Sequence, residues 1–358
     1  MPLRSRMASP AATLAAFLLW SGAASACAVA PPRGVPAVNA DQTVILIWDA
    51  ATQTEHFIRQ ASFKTEGDDV GFLVPSPTQP DLQEAGDGAF QSLRTLTAPE
   101  VHTVWQPRNP FGCGMVCSHA PDSLAAGSVP MVRVLEEKRV AGFNAVVLES
   151  NSSTALVRWL QEHGYAYSPE LAVWARPYIE AGWKITALKV AKDAAERDRQ
   201  SVSASALRLS FKTDRPLFPY REPDASGPAK ALGANDRVLR IYFLADGRYE
   251  GELTRETPWT GKTVWAGNVR DGERRQLLEA LRLPPTTGPG TWYLTEFEDH
   301  WPYQAAPADL HFHRSTDQGP IRRPPVTQYV SRSVPGDLTL WALAAVLAAP
   351  VVLRRRSG

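Results

Sequence analysis

The pattern of apolar residues predicts strands that come in pairs, with helices between the groups. The apolar run VILIW at residues 44–48 is typical of a buried strand. The segment ALRLSFKTD at residues 206–214 alternates apolar and polar side chains, so one of its faces should meet water. The dipeptide Asp246-Gly247 favours a two-residue β-hairpin. Strand pairs without a regular β-α-β alternation predict an α+β fold with mostly antiparallel sheets.

Two further groups of strands are indicated by the same reasoning. The segments EHFIRQASFK and DVGFLVPSP follow VILIW, and we expect the three to form an antiparallel meander. The segments MVRVLEEKRV and FNAVVLES lie on either side of Ala141-Gly142 and predict a hairpin.

Four segments have the spacing and the end signals of helices. They are the stretch around Phe90, the stretch from Ser152 to Gly164, the stretch from Ser168 to Gly182 and residues 271–281. A few helices packed on the sheets are therefore expected.

The N-terminal segment has the layout of a secretory signal peptide, which we assign to residues 1–26. Two arginines precede the apolar residues 11–20, and Ala24-Ser25-Ala26 forms a small-residue cleavage site. Cleavage there would leave Cys27 first, which makes Cys27 a candidate for lipidation. A lipoprotein signal usually has Leu, Val or Ile at the place of Ala24, so lipidation and ordinary cleavage both remain open.

The C-terminal segment predicts a membrane anchor or a removable sorting tail. Residues 338–353 carry no charge, and residues 354–358 begin with three arginines. Because positive charge marks the cytoplasmic side, we expect residues 354–358 in the cytoplasm and the rest of the protein outside. The predicted fold thus includes a C-terminal transmembrane helix. A proline-rich stalk, residues 314–337, connects it to the α+β region.

The α+β region is expected at residues 27–313, with a sub-boundary near residues 118–130, where the sequence is small, polar and rich in turn residues. The formal net charge is +1 and no long basic block precedes the tail, so nucleic acid is not expected as a partner. The expected partners are the membrane and an envelope glycan or protein. The sequence indicates no cofactor and leaves the oligomeric state open.

The stretch NPFGCGMVCSH contains two of the three cysteines, Cys113 and Cys117, followed by His119. Its spacing fits neither haem attachment nor thioredoxin-like chemistry, which both use two intervening residues. A metal site would lack a fourth ligand. In an oxidising compartment two nearby cysteines pair, so we predict a Cys113–Cys117 disulfide, with Cys27 as a competing partner if it carries no lipid.

The remaining polar candidates lie near the end of the α+β region. His311 and His313 would share one strand face, with His300 upstream, and could bind zinc if a third ligand approached, although a polar strand edge is the simpler interpretation. Glu296 and Glu298 would share another face, for which we expect solvent exposure rather than acid–base chemistry.

Aromatic residues offer a third kind of site, because exposed tryptophans can stack on sugars. The candidates are Trp105, Trp259, Trp265 and Trp301. Core packing is the ordinary role of tryptophan, so glycan binding is the weaker interpretation.

Several long stretches of the chain resemble the bacterial envelope family called domain of unknown function 2330. These are GFLVPSPTQPDLQEAGDGAFQSLRTLTAPEV, VRVLEEKRVAGFNAVVLESNSSTALVRWLQEHGYAYSPELAVWARPYIEAGWKITALKV, LRLSFKTDRPLFPYREP and WYLTEFE. The resemblance implies a signal peptide and a hydrophobic C-terminal tail. It implies no catalytic residue, since the family carries no assigned activity.

The sequence therefore favours a membrane-tethered extracytoplasmic protein with a non-enzymatic structural or ligand-binding role in the bacterial envelope. The alternatives are a metal-dependent envelope hydrolase that uses His300, His311 or His313, and a glycan-binding module.

Overall fold

The computed structural model describes residues 28–30, 42–59, 71–107, 132–165, 169–190, 205–223, 238–300 and 308–332. The first strands are β1 (Ala28–Ala30), β2 (Gln42–Asp49), β3 (Thr54–Arg59), β4 (Gly71–Ser76), β5 (Asp81–Ala85), β6 (Val101–Pro107), β7 (Arg133–Val140), β8 (Phe143–Glu149) and β9 (Lys184–Val190). The later strands are β10 (Ala206–Lys212), β11 (Leu217–Phe218), β12 (Leu239–Ala245), β13 (Tyr249–Glu252), β14 (Lys262–Val269), β15 (Trp292–Asp299), β16 (Leu310–Arg314) and β17 (Val326–Arg332). The helices of these residues are α1 (Gly88–Leu96), α2 (Ser153–Glu162), α3 (Pro169–Glu180) and α4 (Asp271–Ala280).

Most of the strands form two large sheets. The seven-stranded sheet has the order β14-β15-β12-β2-β3-β10-β5 and contains one parallel pair, β2 with β12. The five-stranded sheet has the order β1-β4-β9-β8-β7 and is antiparallel throughout. A small antiparallel sheet, β11-β16-β13, and a parallel pair, β6 with β17, complete the described strands. The predicted α+β class with mostly antiparallel sheets is confirmed.

The sheets and helices stack in four layers, which follow from the alternation of side chains along the strands. Val44, Leu46 and Phe143 belong to a central core that includes residues from both large sheets. On the other side of β2, Ile45 and Ile47 pack with α1 and α4. The outer face of the five-stranded sheet packs in the same way against α2 and α3. The central strands of both large sheets are therefore buried on two faces, which explains their nearly continuous apolar sequences, whereas the edge strand β7 is largely exposed.

The four predicted helices are all present, and α2 begins with the expected cap, whereas Asp87 before α1 makes no capping hydrogen bond with its side chain. The Ser152 hydroxyl accepts a hydrogen bond of 3.3 Å from the amide of Ala155, as an N-cap does. At the end of α4, the guanidinium of Arg208 on β10 donates to the carbonyl of Leu281 at 3.0 Å. A cation at this point also balances the partial negative charge of the helix C-terminus.

Two predictions about strand pairing are wrong. The third strand of the expected meander, β4, joins the five-stranded sheet instead of β3, because its apolar residues are covered by a layer on each face. Asp246-Gly247 does not close a hairpin, since β12 and β13 belong to different sheets. Gly247 lies against the side chains of Arg314 and Gln318, where a β-carbon would come within 2.8 and 2.7 Å of them. A β-carbon at Gly247 would therefore displace the flexible ends of these two side chains, whereas no backbone atom stands in its way.

The predicted hairpin around Ala141-Gly142 is confirmed. Strands β7 and β8 pair antiparallel, and both turn residues have positive φ, 52° for Ala141 and 81° for Gly142. Two positive φ values in succession are typical of a type I′ turn.

The region predicted as a stalk, residues 314–337, begins with residues that contact the fold. Ile321 forms a β-bridge with Ala266, and the guanidinium of Arg322 lies 4.5 Å from the ring centre of Trp265. Among the described residues, no helix has the length and apolar character needed to cross a membrane. The predicted signal peptide, the sub-boundary near residues 118–130 and the tail at residues 338–353 lie outside the described residues.

Gly86 sits where the chain passes close to α4, and its replacement by alanine is expected to destabilise the fold. A β-carbon there would lie 2.2 Å from the main-chain oxygen of Ala280, which no rotamer change can relieve. We expect Gly86→Ala to lower the free energy of unfolding by about 2–3 kcal/mol, the cost of overpacking. Urea unfolding measures this change. Gly272→Ala is the control, because a β-carbon there meets nothing within 4 Å; an equal loss in both variants would contradict the packing argument.

Candidate ligand-binding cleft

A cleft of about 330 Å³ opens beside the C-terminal end of α3, facing the small sheet that contains β11 and β16. It is lined by Pro177, Tyr178, Ala181, Trp183, Arg215, Arg221, Leu253, Ala308, Asp309 and His311. Its volume is at the lower end of the range for small-molecule sites. The lining combines aromatic, basic, acidic and imidazole side chains from four segments of the chain.

The aromatic wall of the cleft is set by the way α3 ends. Gly182 has φ +73°, a left-handed conformation that glycine adopts without strain. The amide of Trp183 donates to the carbonyl of Tyr178 at 2.9 Å, and the amide of Gly182 donates to that of Ile179. These bonds terminate the helix and turn the chain. The rings of Tyr178 and Trp183 are thereby held 5.3 Å apart.

Asp309, which directly precedes β16, is the buried acid of the cleft. Its Oδ1 accepts hydrogen bonds from the Tyr178 hydroxyl at 2.8 Å and from the main-chain amide of Arg221 at 3.2 Å. Burial raises the pKa of the Asp309 carboxyl, and the Tyr178 and Arg221 contacts oppose that rise only in part. These contacts fix the carboxyl group and join α3, β16 and the segment after β11.

Two arginines supply positive charge to the cleft. Arg221 is held through its main chain, since its carbonyl accepts a hydrogen bond of 3.0 Å from the Trp174 indole. Its Nε lies 3.9 Å from Asp309 Oδ2 and is buried without a hydrogen-bond partner among the described residues. Arg215 lies two residues before β11 and is exposed. With one aspartate against two arginines, the lining favours a negatively charged ligand.

His311 completes the lining and is neutral at pH 7. Burial lowers its pKa to about 4, and the positive charge of Arg215 adds to the effect. Its Nδ1 is buried and has no hydrogen-bond partner among the described residues. A neutral imidazole offers one donor and one acceptor, so His311 could hydrogen-bond a hydroxyl group of a ligand.

The structure does not bring the three predicted histidines together as metal ligands. Strand β16 lies between β11 and β13, so the expectation of a polar strand edge is wrong for His311. His313 is more exposed and lies 3.8 Å from Glu250. His300 is exposed just after β15. Over the described part of the chain, no group of three or more His, Cys, Asp or Glu side chains is placed to bind a metal ion.

Glu296 and Glu298 form an ion-pair network rather than a solvated face. Arg323 lies 2.8 Å from both carboxylates, and Arg240 lies 3.0 Å from Glu296 and 2.5 Å from Glu298. Glu296 is 1% exposed, so the expectation of solvent exposure is wrong for this residue. The reason is that Arg323, from the segment before β17, crosses over β15. Burial raises the pKa of Glu296 in spite of both arginines.

The two described tryptophans among the glycan candidates are part of the packing. Trp259 packs against the central core, and its indole donates to Asp299 at 3.0 Å. Trp265 is 5% exposed and is covered by Arg322. The side chain of Trp105 and the whole of Trp301 lie outside the described residues, as do the lipidation candidate Cys27 and the predicted disulfide residues Cys113 and Cys117.

The cleft residues other than His311 were missed by sequence reasoning. Tyr178, Trp183, Arg221 and Asp309 stand in segments that are far apart in the chain, so no local spacing connects them. The useful signal would have been Asp309, an acid placed directly before an apolar strand, but such a residue is common in loops.

Comparison with known proteins places most of the chain in one family. A family model described as "Uncharacterized protein conserved in bacteria (DUF2330)" matches residues 21–313. The chain belongs to this family. The DUF2330 match includes every described residue that lines the cleft, whereas strand β17 and the C-terminal tail lie beyond it.

The other comparisons add little to the DUF2330 assignment. No curated protein matches the sequence. Among solved structures, the chain is similar to the crystal structure of baculovirus P35, with 7% identity, over 83% of this chain and 100% of that chain, at a TM-score of 0.34. A TM-score of this size supports no inference about fold or function.

Proposed function

We propose that this protein is an extracytoplasmic binding protein of the bacterial envelope, tethered to the membrane and without a catalytic role, whose cleft holds a small acidic saccharide. The tether is supported by the sequence at both ends. Residues 1–26 have the layout of an export signal, and residues 338–353 followed by three arginines have that of a membrane segment with a cytoplasmic end. A lipid on Cys27 is the alternative means of attachment.

The observation that carries the binding role is the convergence of Arg215, Arg221 and Trp183 on one cleft. A guanidinium binds a carboxylate with paired, charge-assisted hydrogen bonds. Trp183, which is only partly buried, offers flat apolar surface on which a sugar ring can pack, and neutral His311 can hydrogen-bond a ring hydroxyl. A sugar that carries a carboxylate uses all three features, whereas a neutral sugar would form no charge-assisted hydrogen bond with the arginines.

The absence of a catalytic role is supported by the chemistry of the lining. Among the described residues, those that line the cleft include no serine, cysteine or lysine. The hydroxyl of Tyr178 is engaged in its bond to Asp309, so its proton is not free for a substrate. Asp309 is held from both sides as a fixed acceptor, which suits the positioning of Arg221 better than proton transfer.

Replacement of Arg221 is expected to weaken binding of an acidic sugar. The probe is glucuronate, titrated calorimetrically into the full-length chain in detergent micelles. Since a hydrogen bond to a charged group contributes about 1.5–3 kcal/mol, Arg221→Gln should raise the Kd roughly 10- to 100-fold. Trp183→Ala should also weaken binding through loss of the packing surface.

The matched control is Arg158→Gln, because Arg158 is exposed on α2 and does not line the cleft. Its Kd for glucuronate should equal that of the unmodified chain. Equal affinity of Arg221→Gln and the unmodified chain, or equal affinity for glucuronate and glucose, would overturn the proposed role of the cleft.

A further inference from the structure

The parallel ribbon formed by β6 and β17 is the least covered part of the described fold. Its register pairs Val326 with Val101 and Tyr329 with Val104. The exposed fractions are 55% for Val101, 51% for Val326 and 62% for Tyr329. All residues at 101–104 and 326–329 are exposed, so within the described part of the chain neither face of the ribbon is covered.

Such an arrangement is unusual for parallel strands. Parallel pairs are normally buried on both faces, and an isolated two-stranded sheet is only marginally stable in water. Val101 and Val326 are register partners, so their branched side chains are exposed side by side on one face. Val104 and Tyr329 occupy the other face in the same way. The ribbon therefore presents apolar surface that a covering partner would stabilise.

The ribbon is fixed to the rest of the protein at its start. The amide of Val326 donates to the carbonyl of Glu100 at 2.8 Å, just before the two strands begin. Immediately upstream, Ile321 and Ala266 exchange two main-chain hydrogen bonds of 2.9 and 3.0 Å. Since the strands are parallel, both run from this attachment toward the same end.

The short segment after β17 limits the distance between the C-terminal end of the ribbon and the predicted membrane segment. Strand β17 ends at Arg332, and the apolar run begins at Leu338. The six residue-to-residue steps from Arg332 to Leu338 span at most roughly 22 Å even when fully extended. A tail embedded in the bilayer thus holds the ribbon near the lipid surface.

We infer that the parallel ribbon lies on the membrane surface, with Val101 and Val326 on the face that enters the interfacial layer and Tyr329, on the other face, at the level of the lipid headgroups. This inference rests on the proposed tether. Tyrosine is enriched at membrane–water interfaces because its ring is apolar while its hydroxyl can remain hydrated. The lipid covers the apolar surface that the fold leaves exposed, and it orients the α+β region on the bilayer.

Photochemical crosslinking on the full-length chain tests this inference. The photoreactive residue p-benzoylphenylalanine replaces Tyr329, and the chain is reconstituted into vesicles of phosphatidylcholine and phosphatidylglycerol. After irradiation, mass spectrometry identifies the adducts. The matched control carries the same residue in place of Val173, which is 63% exposed on α3. Sedimentation with the vesicles is measured separately and reports the tether itself.

Phospholipid adducts at position 329, several times more abundant than at position 173, are the expected result. Adducts to a peptide instead, from residues 108–131 of the same chain or from a second copy, would overturn the inference by showing another cover. A chain that sediments with the vesicles but forms no lipid adduct at 329 would overturn the ribbon placement and leave the tether intact. A chain that does not sediment would overturn the tether, and the ribbon placement with it.

Discussion

Replacement of Asp299 by alanine is expected to lower the free energy of unfolding by about 3–5 kcal/mol, because a buried acceptor shared by several donors would be lost. Asp299 is 1% exposed. Its carboxyl group accepts hydrogen bonds from the hydroxyl of Tyr220 at 2.5 Å, the indole of Trp259 at 3.0 Å and the hydroxyl of Thr260 at 3.0 Å. Without it, the Tyr220 hydroxyl and the Trp259 indole would lose the acceptor that they share.

The Asp299 cluster also explains the glycines around Trp259. A β-carbon at Gly251 or Gly261 would come within 2.4 or 2.2 Å of the Trp259 ring, so the indole is held between two residues without side chains. Chemical denaturation of Asp299→Ala measures the expected loss. Asp214→Ala is the control, since Asp214 is exposed in the turn before β11 and a surface change should cost less than about 0.5 kcal/mol. Similar losses in the two variants would contradict the role of Asp299.

Replacement of Glu55 by glutamine is expected to remove a large pH dependence of stability. Glu55 is fully buried on β3, and burial raises its pKa from 4.5 to about 8, although the amide of Leu217 donates to its Oε2 at 2.8 Å. Its other oxygen has no hydrogen-bond partner among the described residues. The neutral acid is therefore the form that the folded protein accepts.

The sign of the Glu55 effect follows from the two pKa values. Below pH 4.5 the residue is protonated in both states. Between pH 4.5 and about 8 the unfolded chain ionises while the folded chain keeps its proton, so the free energy of unfolding falls as the pH rises. At about 1.4 kcal/mol per pH unit, the total approaches 5 kcal/mol. Glutamine does not titrate, so Glu55→Gln should become progressively more stable than the unmodified chain over this range.

Urea unfolding between pH 4.5 and 9 measures the free energy of unfolding of the unmodified chain and of Glu55→Gln. The difference between the two values reports Glu55, because the other titrating groups contribute equally to both. Glu279→Gln is the control, because Glu279 is exposed on α4 and a surface substitution should change stability by less than about 0.5 kcal/mol. A Glu55→Gln chain whose stability runs parallel to that of the unmodified chain would show that Glu55 ionises in the folded state near its ordinary pKa.

The fold was predictable from the sequence where a local pattern decides it. The helix ends at Ser152 and Gly182 and the turn at Ala141-Gly142 follow from capping and turn chemistry, which depend on a few neighbouring residues. The pairing of β4 and β13 was not predictable, because it depends on which layer covers each face. An apolar strand such as β4 carries no signal for the sheet that it joins.

The cleft was less predictable than the fold for the same reason. His311 stood out in the sequence as one of two histidines on a strand. The residues that line the cleft with it, Asp309, Arg221 and Trp183, are brought together only by the tertiary structure. Glu296 shows the opposite error, since a regular alternation with polar residues predicted exposure. The arginine that covers Glu296 comes from a proline-rich segment with no recognisable strand or helix pattern.

A crystal structure of the full-length chain with bound glucuronate tests the central proposal most directly. The account predicts that the sugar occupies the cleft beside α3, with its carboxylate within hydrogen-bond distance of the Arg221 guanidinium and its ring against Trp183. A sugar bound elsewhere, or one bound in the cleft with its carboxylate directed away from both Arg215 and Arg221, would contradict it.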